Sequence, residues 1–273
     1  MNIRDMARMT LTLFAPLLFA PLVTAQEADD MFTLIRKIRV DPLGVVGQID
    51  GCEFSWDNKF IIASDNHGIA HVYLRETGEE IGSVKHIEIS NKKFERAGKV
   101  NAVGYSHNGK WLYTGIDDVG TKVWDAHTFK LLHHLSDGKD TDGAAFTRDD
   151  SIFVVAASSE VHVYSVPGFK RIHSYKHKKG NVNTVDFNPD DSLMISTASK
   201  GEVFLLRTSD WKIIRRHQFK SSAKRGYFSP DGTLYVLSGR DQFCNVYRTS
   251  DGRLEAELKH RGNLKMLPGD DYG

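Results

Sequence analysis

Phe187-Asn188-Pro189-Asp190-Asp191 is the stretch of sequence that decides the fold, because closely similar stretches return at a fixed interval. Each begins with an aromatic residue and ends in a turn rich in Asp, Asn or Gly. Further copies begin at Tyr105, Phe146 and Phe228, and the four aromatic residues lie 41 positions apart. A fifth copy begins at Phe54, 51 positions before Tyr105. The longer interval indicates an insertion of about ten residues in an otherwise regular repeat.

Each period contains four runs with the alternating apolar and polar pattern of β-strands. In the repeat that includes Phe187, these runs are residues 182–187, 192–197, 202–206 and 211–219. Asp, Asn, Ser and Gly separate them, and these residues favour turns. No segment between the runs could form a crossover helix, so the sequence predicts antiparallel strands joined as a meander.

A single four-stranded meander cannot bury both of its faces, whereas similar sheets stacked around an axis cover one another. The sequence therefore predicts an all-β fold, a β-propeller of four-stranded antiparallel blades, with five complete repeats and partial strands at both ends. The partial strands are residues 32–40 and 262–267. We expect the sequence to be a C-terminally truncated form of a longer protein, and a compact five-bladed ring is the alternative.

The predicted propeller domain spans residues 26–273 and follows a signal peptide at residues 1–25. The propeller is divided into sequence units, each of which begins with the outer strand of a blade. They are residues 32–74, 79–125, 129–165, 169–207 and 211–248, followed by a partial unit at 253–273.

The third strand of each unit resembles the strand that ends in Trp-Asp in WD-repeat proteins. The five copies are Val72-Tyr73-Leu74, Val123-Trp124-Asp125, Val163-Tyr164-Ser165, Leu205-Leu206-Arg207 and Val246-Tyr247-Arg248. The resemblance covers about residues 32–267. It implies a blade-locking network, which places Asp118, Trp124, His177 and Asp241 in structural roles, with His86 and His260 at the position of His177. The TolB-like propellers of the bacterial periplasm are a second family with similar phrases.

Residues 1–25 have the pattern of a secretory signal peptide. Arg4 and Arg8 precede an apolar run from Leu11 to Val23, and cleavage is expected after Ala25. The sequence thus predicts an exported, bacterial-type protein, periplasmic or extracellular, without a transmembrane segment in the mature chain. An uncleaved anchor is the alternative.

The mature chain is expected to carry 34 basic and 34 acidic residues, which gives no general attraction to nucleic acid. With only Cys52 and Cys244, a disulfide framework would be minimal. We expect both cysteines to be small buried residues.

Because consecutive strands run in opposite directions, every second connection lies on the same face of the predicted propeller. The turns between the second and third strands and the connections between sheets therefore share one face. That face carries 17 basic and 9 acidic residues, whereas the opposite face carries 10 and 12. We therefore expect it to bind an anionic partner. The candidate residues are Lys92, Lys93, Phe94, Arg96, Lys178, Lys179, Lys224, Arg225 and Arg261. The alternative is that these side chains are ordinary solvated loop residues.

The sequence favours a binding scaffold over an enzyme. The adjacent residues His133 and His134 alternate across a strand and cannot chelate one metal. No catalytic or metal-binding motif is found, so no catalytic residue, metal or cofactor is predicted. One alternative is a metal-dependent hydrolase of the propeller lactonase type, with Asp65, Asp117, Asp118 and Asp241 at the mouth of a central channel. Another is a periplasmic envelope subunit that resembles TolB. We expect a non-catalytic scaffold that binds a protein or an anionic ligand.

Overall fold

A computed structural model describes residues 49, 51–65, 67–85, 99–117, 119–135, 140–240 and 243–259, all within the compact unit Arg39–Gly273. These residues form 20 β-strands in five four-stranded sheets. In the described ranges there is no helix, and hence none that is long and apolar enough to cross a membrane.

The strands follow one another in chain order, four to a sheet. Sheet 1 contains β1 (Cys52–Phe54), β2 (Phe60–Ser64), β3 (Ile69–Leu74) and β4 (Glu80–Lys85). Sheet 2 contains β5 (Val100–Tyr105), β6 (Trp111–Ile116), β7 (Gly120–Asp125) and β8 (Leu131–Leu135). Sheet 3 contains β9 (Thr141–Phe146), β10 (Ile152–Ala157), β11 (Glu160–Ser165) and β12 (Lys170–Lys176). Sheet 4 contains β13 (Val182–Phe187), β14 (Leu193–Ala198), β15 (Glu202–Arg207) and β16 (Lys212–Gln218). Sheet 5 contains β17 (Ala223–Phe228), β18 (Leu234–Gly239), β19 (Phe243–Arg248) and β20 (Leu254–Lys259).

Every sheet is an antiparallel meander, so the predicted all-β fold of four-stranded propeller blades is confirmed. The strands of sheet 4 match the predicted runs to within about one residue at most ends. Each sheet ends with the strand that opens the next sequence unit, so sheets and units are offset by one strand. The partial strands predicted at 32–40 and 262–267 lie outside the described residues.

Apolar side chains fill the space between successive sheets. Between sheets 3 and 4, for example, Val154 and Val163 pack against Met194, Phe204 and Leu206, and all five are at most 2% exposed. Burial of one such side chain contributes about 1.5–3 kcal/mol. Similar buried clusters join sheets 1 and 2, sheets 2 and 3, and sheets 4 and 5.

We call the first strand of each sheet the innermost strand and the fourth the outermost strand. The outermost strand of every sheet contains a β-bulge at the same position. The extra residue is Ile81, Leu132, Ile172, Ile214 or Glu255. The four aliphatic ones are 40–50% exposed. Such bulges interrupt the regular edge along which another chain could pair.

The two cysteines are free thiols, but they are not both buried. Cys52 is exposed and Cys244 is half-buried. The expectation of burial was therefore wrong for Cys52, because its strand is the innermost one of sheet 1 and borders a cavity instead of the space between two sheets.

Candidate functional site

The innermost strands of sheets 2 to 5 share a β-bulge near their first residue. The extra residue is Asn101 in sheet 2, Asp142 in sheet 3, Asn183 in sheet 4 and Lys224 in sheet 5. A bulge redirects side chains away from the regular alternation of a strand. All four positions hold polar residues, which is the first sign that this end of the sheets is a site.

These bulges connect neighbouring sheets through hydrogen bonds. The amide of Asn101 donates to Asp142 Oδ1 (3.3 Å) in the next sheet and to Asp117 Oδ1 (2.6 Å) in its own. The amide of Asn183 donates to the carbonyl of Ala223 (2.7 Å). Burial and the neighbouring Asp140 raise the pKa of Asp142, against the effect of Lys224 and Arg225.

A cavity of about 840 Å³ lies beside the innermost strands, and all five sheets contribute to its wall. The lining combines carboxylates and two arginines, Arg148 and Arg225, with aromatic side chains. Prominent among these residues are Glu53, Asp142, Asp186, Arg225, Phe54, Trp56 and Tyr227. A concave site with few polar groups and aromatic walls is typical of ligand-binding cavities.

One repeat position in the innermost strand carries a different residue in every sheet. It holds Glu53, Gly104, Ala145, Asp186 and Tyr227, from sheet 1 to sheet 5. A Cβ at Gly104 would lie 2.6 Å from Glu53 Oε2 and 2.6 Å from the hydroxyl of Tyr113. The glycine therefore leaves the space into which the glutamate of the preceding sheet extends.

Two carboxyls of the cavity are poorly hydrated. Glu53 keeps open surface towards the cavity, but protein surrounds its carboxyl on the other sides, and burial raises its pKa to about 7 despite a hydrogen bond from the N–H of Tyr105. Burial likewise raises the pKa of Asp186 to about 6, although its Oδ2 accepts the N–H of Phe228 (3.0 Å). Both groups therefore titrate closer to neutral pH than an ordinary carboxyl.

Basic side chains collect on the loops at the edges of sheets 4 and 5. We call this set the basic strip, and it consists of Lys178, Lys179, Lys200, Lys220, Lys224, Arg225 and Arg240. All are exposed except Lys224, which is half-buried. Four of them were candidate binding residues from the sequence, and the structure adds Lys200, Lys220 and Arg240.

The loops of the basic strip are joined by hydrogen bonds. Asn181 and Ser199 exchange two, at 2.8 and 2.9 Å, which fixes loop 176–181 against turn 199–201. The side chain of Gln218 donates to the carbonyl of Lys200 (3.0 Å).

The strip continues into sheet 5 through the N–H of Arg240, which donates to the carbonyl of Ser222 (3.0 Å). Within the described part of the chain, none of the seven basic side chains forms a salt bridge. These basic side chains therefore form no direct ion pair there, although Lys224 and Arg225 act electrostatically on the carboxyl of Asp142.

Several candidates from the sequence cannot be placed. The candidate binding residues Lys92, Lys93, Phe94, Arg96 and Arg261, and the two turn residues Asp118 and Asp241, lie outside the described residues.

The other two candidates for the blade lock, Trp124 and His177, form buried hydrogen bonds. Trp124 Nε1 donates to Thr114 Oγ1 (2.9 Å) across sheet 2. His177 Nε2 lies 2.9 Å from Ser196 Oγ, and its ring stacks on Phe204 with the centroids 4.0 Å apart. Burial lowers the pKa of His177 to about 4. These contacts are consistent with structural roles for both residues.

Of the four carboxylates considered for a metal-dependent hydrolase, Asp65 and Asp117 lie in the described residues. Asp65 is buried in a turn, where its Oδ1 accepts the N–H groups of His67 (2.9 Å) and Ile69 (2.8 Å), and it does not line the cavity. The expectation that Asp65 lies at the mouth of the channel was therefore wrong, because hydrogen bonds within the turn hold its carboxylate away from the cavity. Over the described ranges, no group of three or more His, Cys, Asp or Glu residues could hold a metal ion.

Comparison with known proteins extends the resemblance to WD repeats. Residues 169–205, which include β13 and β14, match the WD40 family, described as "WD domain, G-beta repeat". The mouse target of rapamycin complex subunit LST8 is 21% identical over 171 residues, which cover 58% of this chain and 52% of LST8. The chain thus spans about half the length of that relative.

Two fungal proteins show similar likeness over smaller shares of their length. Periodic tryptophan protein 2 of Saccharomyces cerevisiae is 29% identical over 125 residues, 45% of this chain and 13% of that protein. Protein HIR1 of Mycosarcoma maydis is 27% identical over 169 residues, 52% of this chain and 16% of that protein. These relatives are eukaryotic and give no support to a bacterial origin. Together with the five four-stranded sheets, these matches show that the chain is similar to WD-repeat proteins.

Proposed function

We propose that this protein is a non-catalytic WD-repeat scaffold that binds an acidic segment of a partner protein through the basic strip. One observation carries the proposal: seven basic side chains lie on hydrogen-bonded loops, and none has a salt-bridge partner in the described ranges. Clustered charge of one sign steers partners of the opposite sign and favours their binding.

The sheets make the loops suitable for recognition. The loops of the strip begin and end in strands that are tied into four-stranded sheets, so their backbone is already ordered before binding. A preorganised surface loses little conformational entropy on association. The printed name of LST8 describes a subunit of a complex, and a scaffold role for this chain is in line with that.

The test is binding to a polyanion as a function of salt. The wild-type protein should bind heparin resin and elute at a defined salt concentration, because charged contacts are screened within about 10 Å at 0.1 M salt. Reversal of Lys178, Lys179, Lys224 and Arg225 to Glu should abolish retention.

The matched control reverses four exposed basic residues on the opposite face, namely Arg75, Lys110, Lys130 and Lys170. It changes the net charge equally and should retain most of the binding. Equal loss in both variants would mean that net charge alone acts, and unchanged retention in the first variant would refute the role of the strip.

Export is the second part of the proposal and rests on the basic, apolar and small-residue pattern of residues 1–25. Mass measurement of the protein from the secreted fraction of an expressing cell should give a chain that starts at Gln26. A product that keeps residues 1–25 and remains inside the cell would refute it.

A further inference from the structure

The cavity contains carboxyls without a cationic partner. Glu53 and Asp186 occupy the same repeat position in sheets 1 and 4, and both line the cavity. In the ranges that the structure describes, neither forms a salt bridge with Lys, Arg or His. Poorly hydrated charges in proteins are normally paired, because removal of a charge from water is costly. Neither carboxyl is therefore neutralised by a direct ion pair, although Arg148 and Arg225 also line the cavity.

Three aromatic side chains that line the same cavity are also exposed. Trp56 is 64% exposed, Phe54 is 55% exposed and Tyr227 is 46% exposed, although all three line the same cavity. An open aromatic face attracts a cation through its quadrupole. The packing between the sheets does not account for these exposed rings.

A buried hydroxyl gives a third observation. Tyr105 lines the cavity and is 8% exposed, and its hydroxyl has no hydrogen-bond partner among the described residues. A buried hydroxyl is normally hydrogen-bonded. The carboxyl of Glu53 acts electrostatically on Tyr105, which places both groups in one part of the wall.

We propose that this cavity binds the alkylammonium group of a small organic cation, with Glu53 and Asp186 as its carboxylate acceptors and the open aromatic rings as its walls. An ammonium carries three donors and a positive charge, which the two carboxylates can accept. The volume of about 840 Å³ fits a small molecule or an inserted side chain. Its carboxylate acceptors do not belong to the proposed basic strip, which would bind the opposite sign of ligand charge, although Arg225 of the strip also lines the cavity.

The space beside Glu53 depends on a glycine. Because a Cβ at Gly104 would lie 2.6 Å from both Glu53 Oε2 and the Tyr113 hydroxyl, any larger residue would displace the carboxyl from its place in the wall. Tyr113 is itself held by its hydroxyl, which donates to the carbonyl of Ala144 (2.8 Å). Gly104→Ala should therefore weaken binding without removal of a charge.

Binding should be linked to proton release. The pKa of Glu53 is raised to about 7 and that of Asp186 to about 6, so both are partly protonated near pH 6 and ionised at pH 8. A bound cation favours the ionised form. Tyr105 and Tyr113 are the titratable side chains on which Glu53 acts, and burial raises both of their pKa values, so they stay neutral over this range.

The experiment is calorimetric titration of the full chain with cadaverine and with Nα-acetyl-lysine amide at pH 8 and pH 6, with 1,5-pentanediol as the neutral analogue. We expect the amines to bind at pH 8, to bind more weakly at pH 6 and to release protons, and the diol not to bind. Preference for cadaverine would assign the site to free amines, and preference for the lysine derivative to a protein side chain. Absence of binding by both amines at millimolar concentration would overturn the proposal.

The variants are nearly isosteric, so the fold should persist. Glu53→Gln and Asp186→Asn should each weaken binding about tenfold or more, since hydrogen bonds to charged groups are strong. Glu257→Gln, on the exposed outermost strand of sheet 5, is the matched control and should bind as wild type. Amine binding that neither cavity variant changes would overturn the assignment. Retention on heparin should be the same in all three variants, which separates this site from the basic strip.

Discussion

One position in the second strand of a sheet holds a fully buried large side chain in four successive sheets. These residues are Leu112, Phe153, Met194 and Tyr235. The repeat position of Glu53, in contrast, is occupied by acidic, small and aromatic residues in different sheets. Residues that contact the next sheet are constrained by packing, whereas residues at the cavity are not. Differences between repeats therefore mark the positions where the chain has a chemistry of its own.

Replacement of Glu53 should change stability in a pH-dependent way. Because the pKa is about 7 when folded and 4.5 unperturbed, ionisation of this group costs stability as the pH rises through this window. Glu53→Gln should therefore raise the Tm at pH 8, and leave it nearly unchanged at pH 4, where the wild-type carboxyl is protonated. Scanning calorimetry at both values tests this.

The control for that prediction is Glu79→Gln, in an exposed turn. It should show no such difference between pH 4 and pH 8. A Glu53→Gln variant with a Tm below that of wild type at pH 8 would mean that the ionised carboxyl has a stabilising partner.

Acid should destabilise the protein through His177. Its pKa is lowered from 6.5 to about 4, chiefly by burial, so the unfolded chain takes up a proton at higher pH than the folded one. The stability present above pH 6.5 should fall as the pH drops towards 4. His177→Gln should have a lower Tm at pH 7, because the ring contacts are lost, but a smaller further loss at pH 5.

The exposed His127 gives the comparison for this measurement. His127→Gln should retain the full loss between pH 7 and pH 5. If His177→Gln lost as much stability over this interval as wild type, protonation of His177 would not be the cause. His217, whose pKa burial also lowers to about 4, contributes a loss of the same sign and remains in both variants.

Strands were predictable at the level of the element because their alternation and turns repeat. The bulges in the innermost strands were not predictable from the sequence. Strict alternation would place Val182, Thr184 and Asp186 on one face of β13, but the extra residue Asn183 shifts the pattern, so that Val182 shares the core with Val185 instead. A bulge depends on pairing with the next strand, which a single-strand pattern does not contain. The cavity lining could therefore not be derived from alternation, although the basic loops could.

Turns between the first and second strands hold adjacent sheets together. Asp150 of sheet 3 accepts the N–H groups of His107 (2.9 Å) and Asn108 (2.6 Å) of sheet 2. Asp191 of sheet 4 accepts the N–H of Arg148 (2.7 Å) of sheet 3 in the same way. We call these contacts turn clamps. They link elements whose sequences predicted only a local turn.

The clamp is missing between sheets 4 and 5 for a chemical reason. The acceptor position is Gly232, which has no carboxylate, and the donor position is Pro189, which has no N–H. The acceptor and the donor that the two clamps share are therefore both absent, whereas Asp190, at the position of Asn108, keeps its N–H. The two groups instead lie against each other, since a Cβ at Gly232 would be 3.1 Å from Pro189 Cδ.

Removal of a turn clamp should destabilise the protein. Asp150 has a φ of 54°, so glycine keeps the backbone conformation while it removes both hydrogen bonds. Asp150→Gly should lower the free energy of unfolding by about 1–3 kcal/mol. Urea denaturation measures this, with Asn58→Gly as the control, because exposed Asn58 occupies the same turn position in sheet 1 with a φ of 63° and forms no clamp among the described residues. An Asp150→Gly variant as stable as wild type would show that water replaces the clamp at no cost.

The whole molecule is built from contacts between neighbouring sheets, and its sheets are unequally buried. The four central residues of β15 in sheet 4 are all buried, whereas no residue of β19 in sheet 5 is. In β20, five of the six residues are exposed. In an array of packed repeats, stability is close to a sum of terms within sheets and between neighbours. The amides of sheet 5 should consequently open at a lower free energy than those of sheets 3 and 4.

Hydrogen exchange with mass spectrometry can test this nearest-neighbour character. Leu205→Ala removes a fully buried side chain that packs with Tyr235 and Leu237 between sheets 4 and 5. It should cost about 2–5 kcal/mol. Exchange should then accelerate in sheets 4 and 5 and change little in sheet 1. Leu112→Ala, in the cluster between sheets 1 and 2, should produce the reverse distribution. If both variants accelerated exchange equally in every sheet, the five sheets would unfold as one cooperative unit and the additive description would fail.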